Sequence, residues 1–418
     1  MKTKLFIPCI ICIIATICMV SCKKLYEPVF QKFSVSTDEA YFNRTTATLY
    51  GYLNRSGGST GGFGDYVEMY TPNCYFAFSK NEDFSDAMQL VANKYNYSDY
   101  YYDDYDYDNY SDYYYDIDNL TPATTYYYYF YAVSASGEEM LKGDVMSFTT
   151  KPELIIPVGA IAAEFSVAND RKVFFSMGNL QYQASTHKWR FAAHQYDYVG
   201  SSNSNISNST TSWIDLFGWG TSGWYSGAVA YQPYSTSTTY SDYYPGGSAY
   251  NDLTGSYAYA DWGVVNAIQN GGNTAHSWRT LTADEWQYLL SVRTDAASKR
   301  GLATVLGVSG LVILPDDWQL PSGCSFNASY SYYTVNIYNS TQWSNMEAAG
   351  AVFLPAAGYR HSTTVYNSGT YGNYWSANMY NSDVSSSYRM RFLSGSLYSK
   401  STGYRYYGHS VRLVRNSD

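Results

Sequence analysis

Five histidines occur in the chain, at His187, His194, His276, His361 and His409. None stands in H-x-x-x-H spacing, so no helix face offers a ready pair of zinc ligands. A P-loop is also missing from the sequence. Asp316 and Asp317 could form a carboxylate pair, but Pro315 precedes them and Trp318 follows, the pattern of a turn. The expectation is a protein that is not an enzyme and carries no cofactor, with bound Ca²⁺ left open. What the sequence concentrates is contact chemistry. Between His361 and His409, Tyr366, Asn367, Tyr371, Asn373, Tyr380, Asn381 and Asp383 are interspersed with a fixed-looking framework of Gly372, Trp375, Arg389, Phe392 and Gly408. Tyr398, Ser399, Tyr404, Tyr406, Tyr407 and His409 continue the series. Tyr supplies a large, rigid, amphipathic contact, while Ser and Asn adapt their hydrogen bonds; antibody paratopes share this composition. These side chains nominate a ligand surface for a protein or glycan of unknown identity. The other reading is an ordinary polar surface in a Tyr-rich chain.

The whole composition leans the same way. The chain has 418 residues, 15% of them charged, and 50 Tyr against 18 Phe and 10 Trp. At roughly 100–200 residues per domain, two or three domains are expected. A net charge of −9 argues against nucleic acid as a partner, since that needs a basic face. The low charged fraction argues against a coiled coil.

The N-terminus reads as an address. Lys2 and Lys4 precede an apolar stretch from Leu5 to Val20, which is short for a spanning helix. It ends in Ser21-Cys22 and is followed by Lys23-Lys24. This resembles a bacterial lipoprotein signal: residues 1–21 would be the signal peptide, Cys22 the lipidated first residue, and 22–30 a tether. An uncleaved anchor helix is the other reading. Several acyl chains on one Cys anchor stably, because each buried methylene adds about 0.8 kcal/mol. The resemblance implies outer-membrane attachment, with the cell surface favoured. Lys23 and Lys24 leave a periplasm-facing orientation open. Of the remaining thiols, Cys74 and Cys324 fall in different predicted domains, which excludes a disulfide scaffold and leaves two small apolar residues.

A first β domain is expected over 31–150. Thr45–Leu53 alternates in strand fashion, Cys74–Ser79 reads as a second strand and Val145–Thr150 as the last. The segment from Leu120 through Thr121, Pro122, Ala123, Thr124 and Thr125 to Tyr126 has the pattern L-x-P-x-T-x-Y. It resembles fibronectin type III domains, which implies a β-sandwich with Tyr126 as tyrosine corner and Tyr126, Tyr128, Phe130 and Ala132 facing the core. Within this domain, Tyr95–Tyr115 is nearly all Tyr, Asp, Asn and Ser. Lacking aliphatic residues, it is expected as an exposed loop or hairpin: a solvated insertion, a contact surface or a Ca²⁺ loop.

After a linker at 151–158, an α+β domain is expected over 159–415. Glu164–Val167 and Lys172–Ser176 suggest a hairpin turning at Asn169-Asp170, and Leu180–Tyr182 and Trp189–Ala192 more strands. Thr282-Ala283-Asp284-Glu285 is a capping box opening a helix with Trp286, Leu289 and Leu290 on one face. Asp261–Gln269 is expected as another helix, with Trp262, Val265 and Ile268 inward. The long loop-rich stretch Ser201–Tyr259 is of a kind often functional.

Several segments of this domain carry a further resemblance. Trp278–Trp286, Phe353–Arg360, Gly372–Ser376 and Gly408–Arg415 resemble, in order, motifs of the formylglycine-generating sulfatase-modifying family and of the Fibrobacter succinogenes major paralogous domain. The resemblance implies a C-type-lectin-like fold. On physical grounds Trp286, Trp375, Val411, Leu413 and Val414 are expected in the core, and Arg412 and Arg415 paired with carboxylates or carbonyls inside the domain. The enzymes of that family use a C-terminal cysteine pair to bind copper; here Cys324 stands alone in the domain, so that chemistry is lost. Tyr, Asn, Ser, Asp and His share one further property: each can arise from an Asn codon by changing an adenine. Their placement over 360–410, ahead of G-x-S-V-R-L-V-R, resembles the variable region of diversity-generating retroelement target proteins, which implies a ligand surface rewritten on a rigid scaffold.

Overall fold

The computed structural model describes residues 33–55, 72–95, 110–134, 136–224 and 231–417. Cys22, the signal segment and the tether lie outside these residues, as does 96–109 of the tyrosine-rich run. The chain divides into two compact units between Glu153 and Leu154, inside the segment expected as linker. Antiparallel sheets dominate both units. Among the described residues, no helix is long and apolar enough to cross a membrane.

The first unit holds two antiparallel sheets around one core. Strands β1 (Phe33–Phe42), β2 (Ala47–Arg55), β5 (Asn93–Lys94) and β6 (Tyr110–Ile117) form one sheet in the order β1-β2-β6-β5. Strands β3 (Asn73–Ser79), β4 (Met88–Val91), β7 (Thr125–Val133) and β8 (Met140–Lys142) form the other in the order β4-β3-β7-β8, with β9 (Met146–Thr149) also on β7. Alternation along β7 buries Tyr126, Tyr128, Phe130 and Ala132 against Leu49, Leu53, Phe76 and Phe78. The Tyr126 hydroxyl accepts the Thr121 N–H at 2.9 Å, five residues back, which is tyrosine-corner geometry.

Of the two forms expected for the tyrosine-rich run, residues 110–115 fit the hairpin: β6 pairs with β5 and, along its length, with β2. Their full exposure is corrected, because Tyr113 packs into the core. Aromatic rings do the work of the missing aliphatic side chains. Tyr113 meets the Phe130 ring at 5.4 Å. Cys74 is buried in the same core, its thiol pushed up to about 11 by desolvation.

The second unit is closed by its ends. Strands β10 (Phe165–Ala168) and β11 (Arg171–Phe175) form the expected hairpin, and β11 pairs with β25 (Leu413–Asn416), which also takes β15 (Arg279–Thr280). Pairing therefore runs one residue beyond the expected end at 415. Strands β12 (Leu180–Gln183), β13 (Lys188–Phe191) and β14 (Trp213–Ile214) make a small sheet. Strands β16 (Arg300–Val305), β17 (Val308–Ile313), β18 (Ile337–Tyr338) and β19 (Val352–Pro355) make another, where β16 and β18 run parallel. Trp286, Trp375, Val411, Leu413 and Val414 are all buried.

The capping box forms as expected: Thr282 Oγ1 accepts the Glu285 N–H at 3.2 Å, and Glu285 Oε2 accepts the Thr282 N–H at 2.8 Å. The same carboxylate takes both terminal nitrogens of Arg279, at 2.7 and 2.8 Å. Asp316 is structural. It accepts the Ser166 N–H at 3.1 Å and pairs with Arg293 at 3.0 Å. Burial works to raise its pKa, but the Ser166 hydrogen bonds and the Arg293 charge outweigh burial and hold it below the usual value.

The helix expected over 261–269 is a single turn, Trp262–Val265. Asn266 ends it by turning its side-chain amide back onto the Trp262 carbonyl at 3.0 Å, capturing an acceptor that a further turn would use. Trp262 and Ile268 are buried as expected, whereas Val265 is only half-buried.

Candidate functional site

The candidate surface is carried by β20 (Tyr359–His361), β21 (Thr364–Tyr366), β22 (Tyr371–Met379), β23 (Ser386–Leu393) and β24 (Ser396–Tyr404). Strands β22, β23 and β24 form an antiparallel sheet with β23 central. Alternation gives this sheet two unlike faces. Tyr374, Met390 and Phe392 enter the core on one. Tyr371, Asn373, Arg389 and Arg391 share the other. Gly372 sits opposite Phe392, where a Cβ would lie 2.0 Å from the ring. The glycine lets that ring lie flat across the strand and fixes the register of the opposite face.

On the outward face, aromatic rings form a continuous chain of contacts. Tyr366 stacks on Tyr359 at 5.6 Å, and Tyr359 meets Tyr407 at 5.1 Å. Tyr404 and Tyr406 stack at 5.2 Å with their planes 9° apart, and Tyr406 meets Tyr407 at 5.1 Å. His361 touches Tyr406 at 5.6 Å and Tyr407 at 5.3 Å. Tyr366 and Tyr404 are exposed, and the rest of this group is half-buried. At the other end of the sheet, the Arg391 guanidinium lies over the rings of Tyr371 at 5.0 Å and Tyr398 at 5.9 Å.

A polar floor lies beneath. His409 is fully buried, with its ring 4.3 Å from that of Trp375. Arg389 Nη1 lies 2.9 Å from Asn373 Oδ1 and 3.0 Å from His409 Nε2. An arginine only donates, so His409 is neutral and accepts through Nε2. Burial, then the Arg389 charge, push its pKa well below the ordinary histidine value. Burial and the neighbouring Arg391 bring Arg389 down to about 10. Asn373 also donates to the Gly358 carbonyl at 3.1 Å.

Deeper arginines tie the loops to this floor through carbonyl oxygens. Arg360 donates to Ser362 at 2.7 Å and Ser235 at 2.9 Å. Arg405 reaches Ala249 at 2.6 Å, and Arg412 reaches Gln195 Oε1 at 2.6 Å. Arg412 is thus paired inside the domain as expected, but Arg415 is exposed on β25. Burial along β25 falls off from Leu413 and Val414 to Arg415 and Asn416, so Arg415 lies at the exposed end of the strand.

The nominated residues do not form one patch. Tyr366, Tyr404, Tyr406 and Tyr407 belong to one aromatic group, and Tyr371 and Tyr398 flank Arg391. Asn367 turns the chain between β21 and β22 with φ 55°, a left-handed conformation that Asn tolerates. Four residues lie apart. Tyr380 packs on Tyr388 at 5.2 Å, and Tyr388 shares the alternation of Met390, so Tyr380 belongs to the opposite face. Asn381 is exposed on the turn that follows. Asp383 accepts Ser385 Oγ at 2.6 Å and Ser386 Oγ at 2.8 Å, so its carboxylate serves its own turn; these bonds hold its pKa below the ordinary value. Ser399 faces Ser291 of the adjacent helical segment at 3.4 Å. Asn373 and His409 are corrected outright. Both are buried in the floor and present nothing to a ligand.

Residues 330–414 match a family described as a domain of unknown function (DUF8237). The matched stretch contains β18 to β24 and the start of β25, and with them every residue nominated for the ligand surface. No curated protein matches the chain.

Sequence reading missed Tyr359, His361 and Arg391 as surface members. Tyr359 and His361 alternate about the buried Arg360, and Arg389 and Arg391 alternate with Met390 and Phe392; strand parity was the available signal. A separate cleft of about 400 Å³ opens in the loop-rich stretch, lined by Ile206, Ser207, Tyr234, Ser237 and Asp242 among others. Among the described residues, no group of His, Cys, Asp and Glu is placed to hold a metal ion.

Proposed function

We propose that this chain is a non-catalytic lipoprotein that displays a ligand-binding surface. In this reading Cys22 carries the lipid anchor in the outer membrane, and the N-terminal fibronectin type III-like sandwich is a spacer. The C-terminal domain is C-type-lectin-like and presents the ligand surface outward at the cell surface. The observation that carries the reading is the linked aromatic group of Tyr359, His361, Tyr366, Tyr404, Tyr406 and Tyr407 over the Arg389–His409 floor. Mobile polar side chains lose rotamer entropy on binding; stacked tyrosines have already lost most of theirs.

The surface is diversified by a retroelement, as its Tyr, Asn and Ser content supports. The test is genomic: the reading requires a near-copy of the coding segment for about 360–412 beside a reverse-transcriptase gene. A locus without the repeat overturns it. The burial of Asn373 and His409 favours one second reading, a fixed-specificity protein- or glycan-binding module, since two nominated positions serve the scaffold. That module would keep one ligand across isolates.

A further inference from the structure

The outward face of β23 holds two cations that lack anionic partners among the described residues. Arg389 and Arg391 are two residues apart on one strand, so their side chains leave the same face about 7 Å apart. Among the described residues, Arg389 donates only to the Asn373 amide oxygen and the His409 ring. Arg391 has tyrosine rings on two sides, and among the described residues no carboxylate pairs with it. The Nε atoms of both are buried without a hydrogen-bond partner. Arg360 Nε, Arg405 Nη1 and Arg412 Nε also lack a partner, but each of those guanidiniums reaches at least two oxygens, whereas among the described residues Arg389 reaches one and Arg391 none. The charges that act on Arg389 are Arg391 and the hydroxyls of Tyr407 and Tyr359, with no acid among them.

A partly desolvated cation pair is costly to leave uncompensated, and the cost is greater when both charges have the same sign. A chain with net charge −9 had ample acid to supply a partner, yet places none here. We infer that the partner recognised by this surface contributes the missing anions, as an extended acidic peptide segment with Asp or Glu at alternate positions. Alternate side chains of an extended strand are also about 7 Å apart on one face, which matches the spacing of Arg389 and Arg391. Each carboxylate can then take one guanidinium in a charge-assisted pair. The tyrosines on either side, Tyr371 and Tyr398 at one end and Tyr407 and Tyr359 at the other, exclude water around the pair. The inference rests on reading this face as a contact surface. It adds that acid recognition belongs to the framework: Arg389 and Arg391 are not among the positions proposed to vary, so every variant would retain it.

The test is titration calorimetry on the whole protein with a synthetic peptide alternating Glu and Thr, its Gln-for-Glu counterpart and a hyaluronate oligomer. The Glu peptide should bind, more weakly as salt is raised, and the Gln peptide should not. Arg391→Gln should weaken binding about tenfold, the size of one charge-assisted hydrogen bond. Arg391→Lys should lose less, and Arg415→Gln, on exposed β25, should bind as wild type. Thermal melting of each variant checks that it folds. Equal affinity for the Glu and Gln peptides, no binding of either, or equal loss with Arg415→Gln overturns the inference. Tighter binding of hyaluronate overturns the peptide assignment in favour of a glycan. None of these results touches diversification, which the genomic locus tests separately.

Discussion

Arg389 Nη1 stands 3.0 Å from His409 Nε2, and this contact joins the tyrosine surface to the domain core. It demands a neutral imidazole. His409 is faced by Arg389 and Arg391 from β23, Trp375 from β22, and Tyr359 and Tyr407 from the surface above. Among the described residues, the formal charges that act on it, Arg389 and Arg391, are both positive.

A pH dependence follows. The folded pKa of His409 is depressed, so below the unfolded value of about 6.5 the unfolded chain binds the extra proton. Stability is then lost as pH falls below about 6.5, at up to roughly 1 kcal/mol per pH unit. Buried Asp215 and Asp261 act oppositely: burial raises both to about 6, so their contribution grows as pH falls below that value. The difference between wild type and His409→Gln isolates the histidine. Wild type should lose more melting temperature than His409→Gln between pH 7 and 5. Parallel curves would show that His409 titrates normally.

Gly403 provides a steric test of the same contact. A Cβ at Gly403 would lie 2.9 Å from His409 Nε2 and 3.1 Å from Arg389 Nε. Gly403→Ala should cost about 1–3 kcal/mol in denaturant unfolding, because the His409 ring is fully buried and has no room to withdraw. It should also weaken the Arg389–His409 coupling in a double-mutant cycle.

Tolerance should split sharply across the sheet. Tyr366, Tyr398 and Tyr404 are exposed, so each Tyr→Ser should cost within about 1 kcal/mol. Arg360→Ala leaves the Ser362 and Ser235 carbonyls without their donors, and Trp375→Ala leaves a cavity; each should cost about 3 kcal/mol or more. Thermal melting of the set measures the contrast.

In the first unit, Tyr126→Phe removes the hydroxyl that accepts the Thr121 N–H. The expected loss is about 1–2 kcal/mol in the unfolding of the sandwich. An unchanged denaturation midpoint would show that this hydrogen bond contributes nothing.

Much of the scaffold was legible because its signals are local. Thr282 and Glu285 state a capping box in four residues, and Tyr126, Tyr128 and Phe130 state a buried face by alternation. The failures come from long-range compensation. Asn373 and His409 read as surface because they are polar; Arg389 and Gly358, distant in sequence, satisfy them inside. Tyr113 read as part of a solvated run because no aliphatic residue surrounds it, yet β2 supplies its strand partner. Arg391 was hidden because a charged side chain on a strand reads as solvated until its missing counterion is visible.

The most direct test of the displayed, diversified surface is to sequence this gene across sibling isolates and map the amino-acid changes. The account predicts changes concentrated at exposed positions such as Tyr366, Asn367, Tyr398 and Tyr404. It also predicts that Arg360, Asn373, Trp375, Arg389, His409 and Arg412 do not vary. Changes scattered evenly along 159–415, or falling on Asn373 and His409 as often as on Tyr404, would contradict it.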